Sequence, residues 1–507
     1  MRIVDLLERD AALYPDRVAV AVVGGPSLTF GELRDRVRRV AGGFRAAGVG
    51  RGDRVAVMAG NGLVFFDVYL AAAYLGAAVV PINPGLTGEE ITYILADAEP
   101  ALTIAGAGHA DRVGAGVGAK MEVVEVATAG YRDLLLADPL AGTEHSDEED
   151  VALIIYTSGT TGQPKGVCLT QRGLAFNGLT MALVQRFRPD DVFLSTLPLY
   201  HAAAGTRVSS MLADGQTHVV LRSFSPESFF AAVAEYRITI SILVPAQLRR
   251  ILDHPGFDGA DLSSLRLIVY GAAPTAGALI RRAHERFGCG LYQAYGLSEG
   301  VSNLTGLLPE DHDLAMAGRP ELLDSCGRPV PGVQIEIRDG DGAAVLPGEV
   351  GEIWVRSEKV MAGYWRDPDR TAEALVGGWL RTGDLGRMDG DGYLYIVDRV
   401  KDMLISGGVN VYPGEIEAVL HAHPSIIEAA VVGCRDPQWG ERPVAFVQLR
   451  PGGSLDPLPG WCRRYLARIK VPDEFFAVDG FPRTATGKIR KAELRERLAA
   501  GQQAAGT

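Results

Sequence analysis

The sequence has little cysteine, no excess of basic charge, no long apolar run and no internal repeat. Its five cysteines (Cys168, Cys289, Cys326, Cys434 and Cys462) are scattered, odd in number and never spaced as CxxC. That argues against a disulfide framework or a zinc ribbon and fits free thiols in a reducing cytoplasm. Lys and Arg total 50 against 62 Asp and Glu, a formal net charge of −12. A nucleic-acid surface requires clustered basic residues, so nucleic acid is not an expected partner. The longest uncharged apolar stretch, "VYLAAAYLGAAVV" at Val68–Val80, lies between Asp67 and Pro81 and is too short to span a bilayer. The opening "MRIVDLLERDAALYPD" is charged and has no apolar core of signal-peptide length. The expectation is a cytoplasmic protein without a membrane span.

What is present suits a globular protein of two or three domains: 507 residues, 47% hydrophobic and 22% charged. "FGELRDRVRRVAGGFRAAG" has helical apolar spacing and a Gly stop. "DRVAVMAGN" reads as a buried strand, and "FDVYLAAAYLGAAVVPINP" as a helix followed by a strand. Such alternation predicts parallel-rich sheets flanked by helices. "SSLRLIVYGAAP" and "GCGLYQAYGLSE" read as buried strands running into Gly-containing loops, where ligands of such folds collect. After about residue 320, "VQIEIRDGDGAAVLPGEVGEIWVRS" alternates like antiparallel hairpins. The last hundred residues read as a compact α+β set. "DRVKDML" is the expected boundary, and "AAGQQAAGT" is a low-complexity tail.

"YTSGTTGQPKGV", Tyr156–Val167, resembles a phosphate loop but not a Walker loop. From Gly159 the second Walker glycine belongs where Pro164 stands, and Lys165 precedes Gly166 rather than a hydroxyl residue. Gly159 and Gly162 permit backbone N–H groups to converge on anionic oxygens. Thr157, Ser158, Thr160 and Thr161 add hydroxyl donors, and Lys165 adds charge. A bland surface turn would not need that combination after a buried strand.

Together with "LPLYH", "YGAAP", "YQAYGLSEG", "GEIWVRSEKVMAGYW", "TGDLG", "DRVKDMLISGGVNVYPGEIE" and "PRTATGKIRK", in that order, this loop resembles the adenylate-forming superfamily. The likeness covers essentially the whole chain and is to the acyl- and aryl-CoA synthetase (AMP-binding) type. It implies an α/β fold: a large N-terminal domain of parallel-rich sheets and a small β-subdomain at 1–398, a hinge at 399–401, and a small mobile α+β domain at 402–507. It implies an ATP-dependent carboxylate–CoA ligase, with ATP and Mg2+ as requirements and coenzyme A as co-substrate. A carboxylate attacks the α-phosphate of ATP, pyrophosphate leaves, and a thiol displaces AMP.

The resemblance also implies roles. The loop from Thr157 to Lys165 (Ser158, Gly159, Thr160, Thr161 and Gly162 between them) clamps the departing β- and γ-phosphates. Glu299 is the metal residue, since a hard cation takes carboxylate oxygen. Ser298 replaces the commoner Thr and keeps the hydroxyl. Tyr295 stacks on adenine beside Gly296, with Gly271, Ala272 and Ala273 opposite. Asp384 binds ribose, and Arg399 is a second nucleotide contact. Lys488 is the adenylation residue, its ammonium reaching the α-phosphate and the attacking carboxylate. Lys401, beside Asp402, is the pivot, and Gly407 and Gly408 of "SGGVN" line the coenzyme A channel.

His201 and Tyr200 resemble the family's aromatic gate to the carboxylate pocket. Ala202, Ala203, Ala204 and Gly205 leave room for a chain or ring, and Val244, Pro245, Val269 and Val301 are expected as apolar wall. "LPLYHAAAG" carries no Asp to pair with an α-ammonium, which disfavours amino acids and fits an aryl or medium acyl acid. Arg207 is one candidate partner for a second carboxylate. No carrier domain follows, so the enzyme is expected to be freestanding, with a homodimer left open. The alternative is transfer to a carrier protein, an amine or another nucleophile in a natural-product pathway. A nucleotide sensor and a luciferase-like oxygenase are the remaining readings.

Overall fold

The structure, a computed structural model, describes residues 1–114, 122–142, 145–157, 163–436, 438–483 and 489–505. The chain divides into two compact units. The larger comprises Met1–Ile335, Val355–Arg381 and Asp391–Leu394; the smaller comprises Glu336–Trp354, Thr382–Gly390 and Tyr395–Thr507.

The larger unit is an α/β body with two sheets. In the nine-stranded sheet the strands Val18–Val22, Thr217–Val220, Val192–Ser195, Ile240–Leu243, Leu267–Gly271 and Gly290–Tyr295 run parallel in that spatial order. In the seven-stranded sheet Val151–Thr157, Ala78–Pro81, Arg54–Met58, Leu102–Ala105 and Glu122–Glu125 run parallel. Lys165–Thr170 and Gly363–Tyr364 extend its edge antiparallel. Parallel neighbours need helical crossovers, so helices cover the faces and loops collect at the strand ends.

Local chemistry sets these elements. The helix Phe30–Ala46 begins at Thr29, whose hydroxyl accepts from Glu32 N while Thr29 N donates to Glu32, a capping box. Its inward face is Phe30, Leu33, Val37, Val40, Ala41 and Phe44, at helical spacing. The helix Leu63–Leu75 is buried along its whole length and correspondingly apolar all round, with one exception, Asp67. That carboxylate has no exposed surface. It accepts from Arg36 at 2.7 and 2.9 Å and from the Tyr131 hydroxyl at 2.5 Å, tying three helices together.

The smaller unit holds an α+β set. Leu404–Ser406, Val409–Val411, Ile426–Asp436, Gly440–Leu449 and Glu474–Ala477 form one sheet, with the helices Pro413–His421 and Leu458–Tyr465 built against its core. Gly407 and Gly408 form the two-residue turn between the first two strands, at φ 55° and 80°. A turn with positive φ at both central positions matches strand twist, which by itself requires glycine there. The segments 336–354, 382–390 and 395–399 supply further strands, as the alternating sequence predicts. No helix among the described residues is long and apolar enough to cross a membrane. Burial pushes the thiols of Cys168 and Cys289 up to about 12 and that of Cys462 to about 11, so none of the three is poised as a nucleophile.

Asp67→Ala leaves the Arg36 guanidinium and the Tyr131 hydroxyl without their buried acceptor. It is expected to lower the unfolding free energy by about 3 kcal/mol in urea titration at pH 7; a loss below about 1 kcal/mol would show that the helices do not depend on this network.

Candidate active site

Four adjacent parallel strands of the nine-stranded sheet end at the same edge, and the segments leaving them carry most of the expected site residues. Ser195 leads into Thr196–Thr206, Leu243 into Val244, Gly271 into Ala272 and Ala273, and Tyr295 into Gly296–Asn303. Gly271 and Ala294 are paired across neighbouring strands, so Ala272 and Tyr295 emerge side by side. The backbone at this edge is strained: Ala272, Val301 and Ser302 have φ of 65°, 49° and 66° without being glycine. A Cβ on Gly296 would stand 1.6 Å from the Ser302 carbonyl oxygen, so only glycine lets the loop fold back on itself.

Val151–Thr157 and Lys165–Thr170 pair antiparallel, with Thr157 opposite Lys165. The phosphate-type loop is thus a strand–strand connection with no helix N-terminus behind it, unlike a Walker loop. Ser158, Gly159, Thr160, Thr161 and Gly162 lie outside the described residues. The Thr157 hydroxyl oxygen is buried without a partner. Lys165 Nζ lies 3.0 Å from Glu299 Oε1 and donates to the Tyr364 hydroxyl at 2.5 Å, 4.1 Å above that ring. The Tyr364 hydroxyl in turn donates to Glu299 Oε1 at 3.0 Å. Burial, and then the Glu299 charge, raise the Tyr364 pKa, which keeps it a donor. Glu299 is 8% exposed, in the 3-10 turn Ser298–Gly300, and its carbonyl accepts from Met361 N. The motif "GEIWVRSEKVMAGYW" therefore supplies Tyr364 to the site, a role invisible in sequence because a tyrosine between Gly and Trp reads as packing. Among the described residues no group of three or more His, Cys, Asp or Glu could hold a metal. Glu299 alone offers a hard cation one carboxylate, and magnesium bound at phosphates commonly takes its remaining oxygens from substrate and water.

His201 precedes the short turn Ala202–Gly205, its ring 4.6 Å from that of Tyr200. Burial lowers its pKa to about 4, so the imidazole is neutral at neutral pH, and burial also raises that of Tyr200. Val244 is half-buried. Val269 and Val301 differ from expectation: neither has exposed surface. Val269 packs with Phe193, Ile240, Leu267 and Tyr292 in the core, and Val301 is turned inward by its left-handed backbone, so neither is open pocket wall.

Asp384, Arg399, Lys401, Gly407 and Gly408 belong to the smaller unit. Within it Arg399 Nε lies 3.5 Å from Asp384 Oδ1, and Asp384 N bonds to the Thr382 hydroxyl at 3.1 Å. Lys401 is exposed, and Asp402 beside it is buried and bonded to Arg495 at 2.6 Å. Lys488 lies outside the described residues.

The family model described as AMP-binding enzyme matches residues 7–365, and that of the AMP-binding enzyme C-terminal domain matches 415–488. A feruloyl-CoA synthase from Amycolatopsis sp. is 38% identical over 493 residues, 97% of this chain and 98% of that one. The o-succinylbenzoate CoA synthetase of Bacillus subtilis in complex with its acyl-adenylate superposes with a TM-score of 0.86 at 30% identity, covering 97% of each chain. An amide bond synthetase from Marinactinospora thermotolerans superposes at 0.88 with 35% identity, covering 98% of this chain and 99% of that one.

Three buried histidines give the larger unit a defined acid response. His201, His218 and His312 have folded pKa values of about 4, 3 and 4, all lowered first by burial, against about 6.5 unfolded. Between these values the unfolded chain binds more protons, so stability falls as pH drops through that window. Asp10, raised to about 6 by burial, works the other way and offsets part of the loss. Each histidine contributes on the order of 2 kcal/mol between pH 7 and 5. Urea midpoints are expected to fall clearly over that range, and equal midpoints would contradict the neutral burial of these rings.

Proposed function

The chain belongs to the AMP-binding enzyme family, and from that premise we propose that it is an ATP-dependent acid–CoA ligase. It joins a carboxylate to AMP with release of pyrophosphate, then passes the acyl group to the thiol of coenzyme A. The observation that carries this reading is the contact of Lys165 and Tyr364 with the buried Glu299 carboxylate. It brings a cation for phosphate oxygen and a carboxylate for a hard metal to one place.

In this reading Lys165, Thr157 and the N–H groups of the loop bind the β- and γ-phosphates as they depart. Donors that meet developing charge lower the barrier, whereas uniform binding does not. Glu299 would hold the magnesium ion, which would offset phosphate charge when bound, and Tyr364 orients that carboxylate through its hydroxyl. Ser298 contacts the α-phosphate. Tyr295 and Gly296 face Gly271, Ala272 and Ala273 across adenine. Asp384 accepts from the ribose hydroxyls, with Arg399 beside it. Lys488 approaches the α-phosphate, and a rotation at 399–401, pivoting on Lys401, then exchanges it for the Gly407–Gly408 turn beside the pantetheine arm. His201 and Tyr200 gate the carboxylate pocket; being neutral, His201 excludes water without attracting the anion away from phosphorus.

The acid is an aryl or medium acyl acid. The small residues after His201, the missing Asp and the likeness to an enzyme named feruloyl-CoA synthase support that class. The likeness to an amide bond synthetase favours one second reading, an amine in place of the thiol acceptor. The enzyme is placed in the cytoplasm, on the grounds of its thiols.

ATP–pyrophosphate exchange across a panel of aryl and acyl acids tests the first half-reaction, and no exchange with any acid would refute it. Adding coenzyme A or a panel of amines and identifying thioester or amide decides the acceptor. Lys488→Ala is expected to lower exchange by at least about a hundredfold while leaving conversion of supplied acyl-AMP within a few-fold; equal loss of both would remove Lys488 from adenylation. Lys401→Pro is expected to spare only one half-reaction, and equal loss of both would remove the pivot.

A further inference from the structure

Two cations lie inside the larger unit without an acid beside them. Arg207 keeps only 7% of its surface. Its Nη1 donates to Gln185 Oε1 at 3.0 Å, and its Cζ stands 4.9 Å over the Phe193 ring. No carboxylate pairs with it among the described residues, and no second acceptor takes its remaining N–H groups. Lys359 is fully buried and donates to the Asn303 carbonyl and, at 3.3 Å, to Asn177 Oδ1, again with no carboxylate. A lysine can shed its proton on burial, but a guanidinium does not. A permanently charged group in this setting calls for an anion.

The surroundings of Arg207 are also short of partners. His218 packs edge-on to the same Phe193 ring, centroid to centroid 5.1 Å, and both of its ring nitrogens are buried without a hydrogen bond. The charge of Arg207 bears on His218 and on Tyr292, whose hydroxyl accepts from Asn303 Nδ2 at 2.8 Å. Asn303 Oδ1 is likewise buried and unpartnered. A cluster that leaves an imidazole and an amide oxygen unsatisfied around a cation with no carboxylate beside it has polar capacity for a group that the protein itself does not supply.

Its position says which group. Arg207 begins the helix Arg207–Met211 directly after Thr206, whose hydroxyl lies 3.1 Å from that of Ser302 in the left-handed loop behind Glu299. The path from His201 to Arg207 runs through Ala202, Ala203, Ala204 and Gly205, which occupy little space. We infer that Arg207 is a specificity-determining residue that pairs with a second carboxylate, at the end of the acid remote from the one adenylated. The substrate class is therefore a dicarboxylic acid. This rests on the ligase reading above. The planar fork of Arg207 suits a bidentate carboxylate, and a neutral amide or ester at the same place leaves the charge unpaired.

The test uses α,ω-diacids from glutarate to sebacate and benzene-1,4-dicarboxylate, each beside its monoamide, in ATP–pyrophosphate exchange. Wild type is expected to favour a diacid over its monoamide by about 30-fold in kcat/KM, mostly through KM. Arg207→Leu is expected to lose that preference and Arg207→Lys to keep part of it. Equal use of diacid and monoamide by wild type overturns the inference without any variant, so a misfolded variant does not protect it. Calorimetric binding of the diacid in the absence of ATP separates the two readings. No exchange with any acid refutes the ligase, whereas diacid binding unchanged by Arg207→Leu, or absent from wild type, refutes the role of Arg207.

Discussion

A carboxylate as buried as Glu299 must be paired, and its partners come from far along the chain. Lys165 opens the second strand from the edge of the seven-stranded sheet, Tyr364 sits on the edge strand beside it, and Glu299 follows the last parallel strand of the nine-stranded sheet. The three polar groups lie within 3.0 Å of one another. Two sheets are therefore locked in register by one cluster, and Met361 N bonded to the Glu299 carbonyl repeats the tie through the backbone. In low local dielectric such a cluster is worth most when complete and costs most when one member is lost. Under the proposed function the same cluster meets Mg·ATP: one carboxylate oxygen is open to a metal while phosphate oxygens compete with Glu299 for Lys165.

The strain at the edge follows from that arrangement. Parallel strands deliver loops to one side, but they do not by themselves aim side chains. Ala272, Val301 and Ser302 hold left-handed backbone, and Gly296 lies against the Ser302 carbonyl. These conformations cost energy that the packed sheets below absorb. The same bend places Glu299 beside Lys165 and leaves Val301 without exposed surface.

Much of the fold was legible because its signals are local. The helical apolar spacing of Phe30–Ala46, the Leu63–Leu75 apolar run and the Gly stops are chemistry within a few residues. Motif order marks Glu299, Lys165 and Tyr295 as candidate site residues but not their distances. Tyr364 and Asn303 were not legible: the partners of Tyr364 lie 65 or more residues away, and Asn303 follows the left-handed residues Val301 and Ser302, which bring it back to Tyr292. Val269, in the middle of the strand Leu267–Gly271, has no exposed surface; an apolar strand residue can face either a ligand or the core, and alternation alone does not choose. Gly407 and Gly408 show the converse. The sequence suggested close approach of a ligand, while a two-residue hairpin turn already demands both glycines.

Net charge poses the remaining physical question. A chain of formal charge −12 has to collect a triphosphate and a carboxylate, both anions. The general field opposes that, but it is screened beyond about 10 Å at moderate salt. Attraction must therefore be built at short range, and the larger unit builds it from the inside. Lys165 faces a carboxylate that a metal can claim, and Arg207 and Lys359 stand in the interior with no acid beside them among the described residues. Buried cations are screened less than surface ones and lose their solvation only once, at folding. An acidic surface then does little to weaken the proposed site, because Arg207 and Lys359 lie in the interior, where the surface field is not what sets the local attraction.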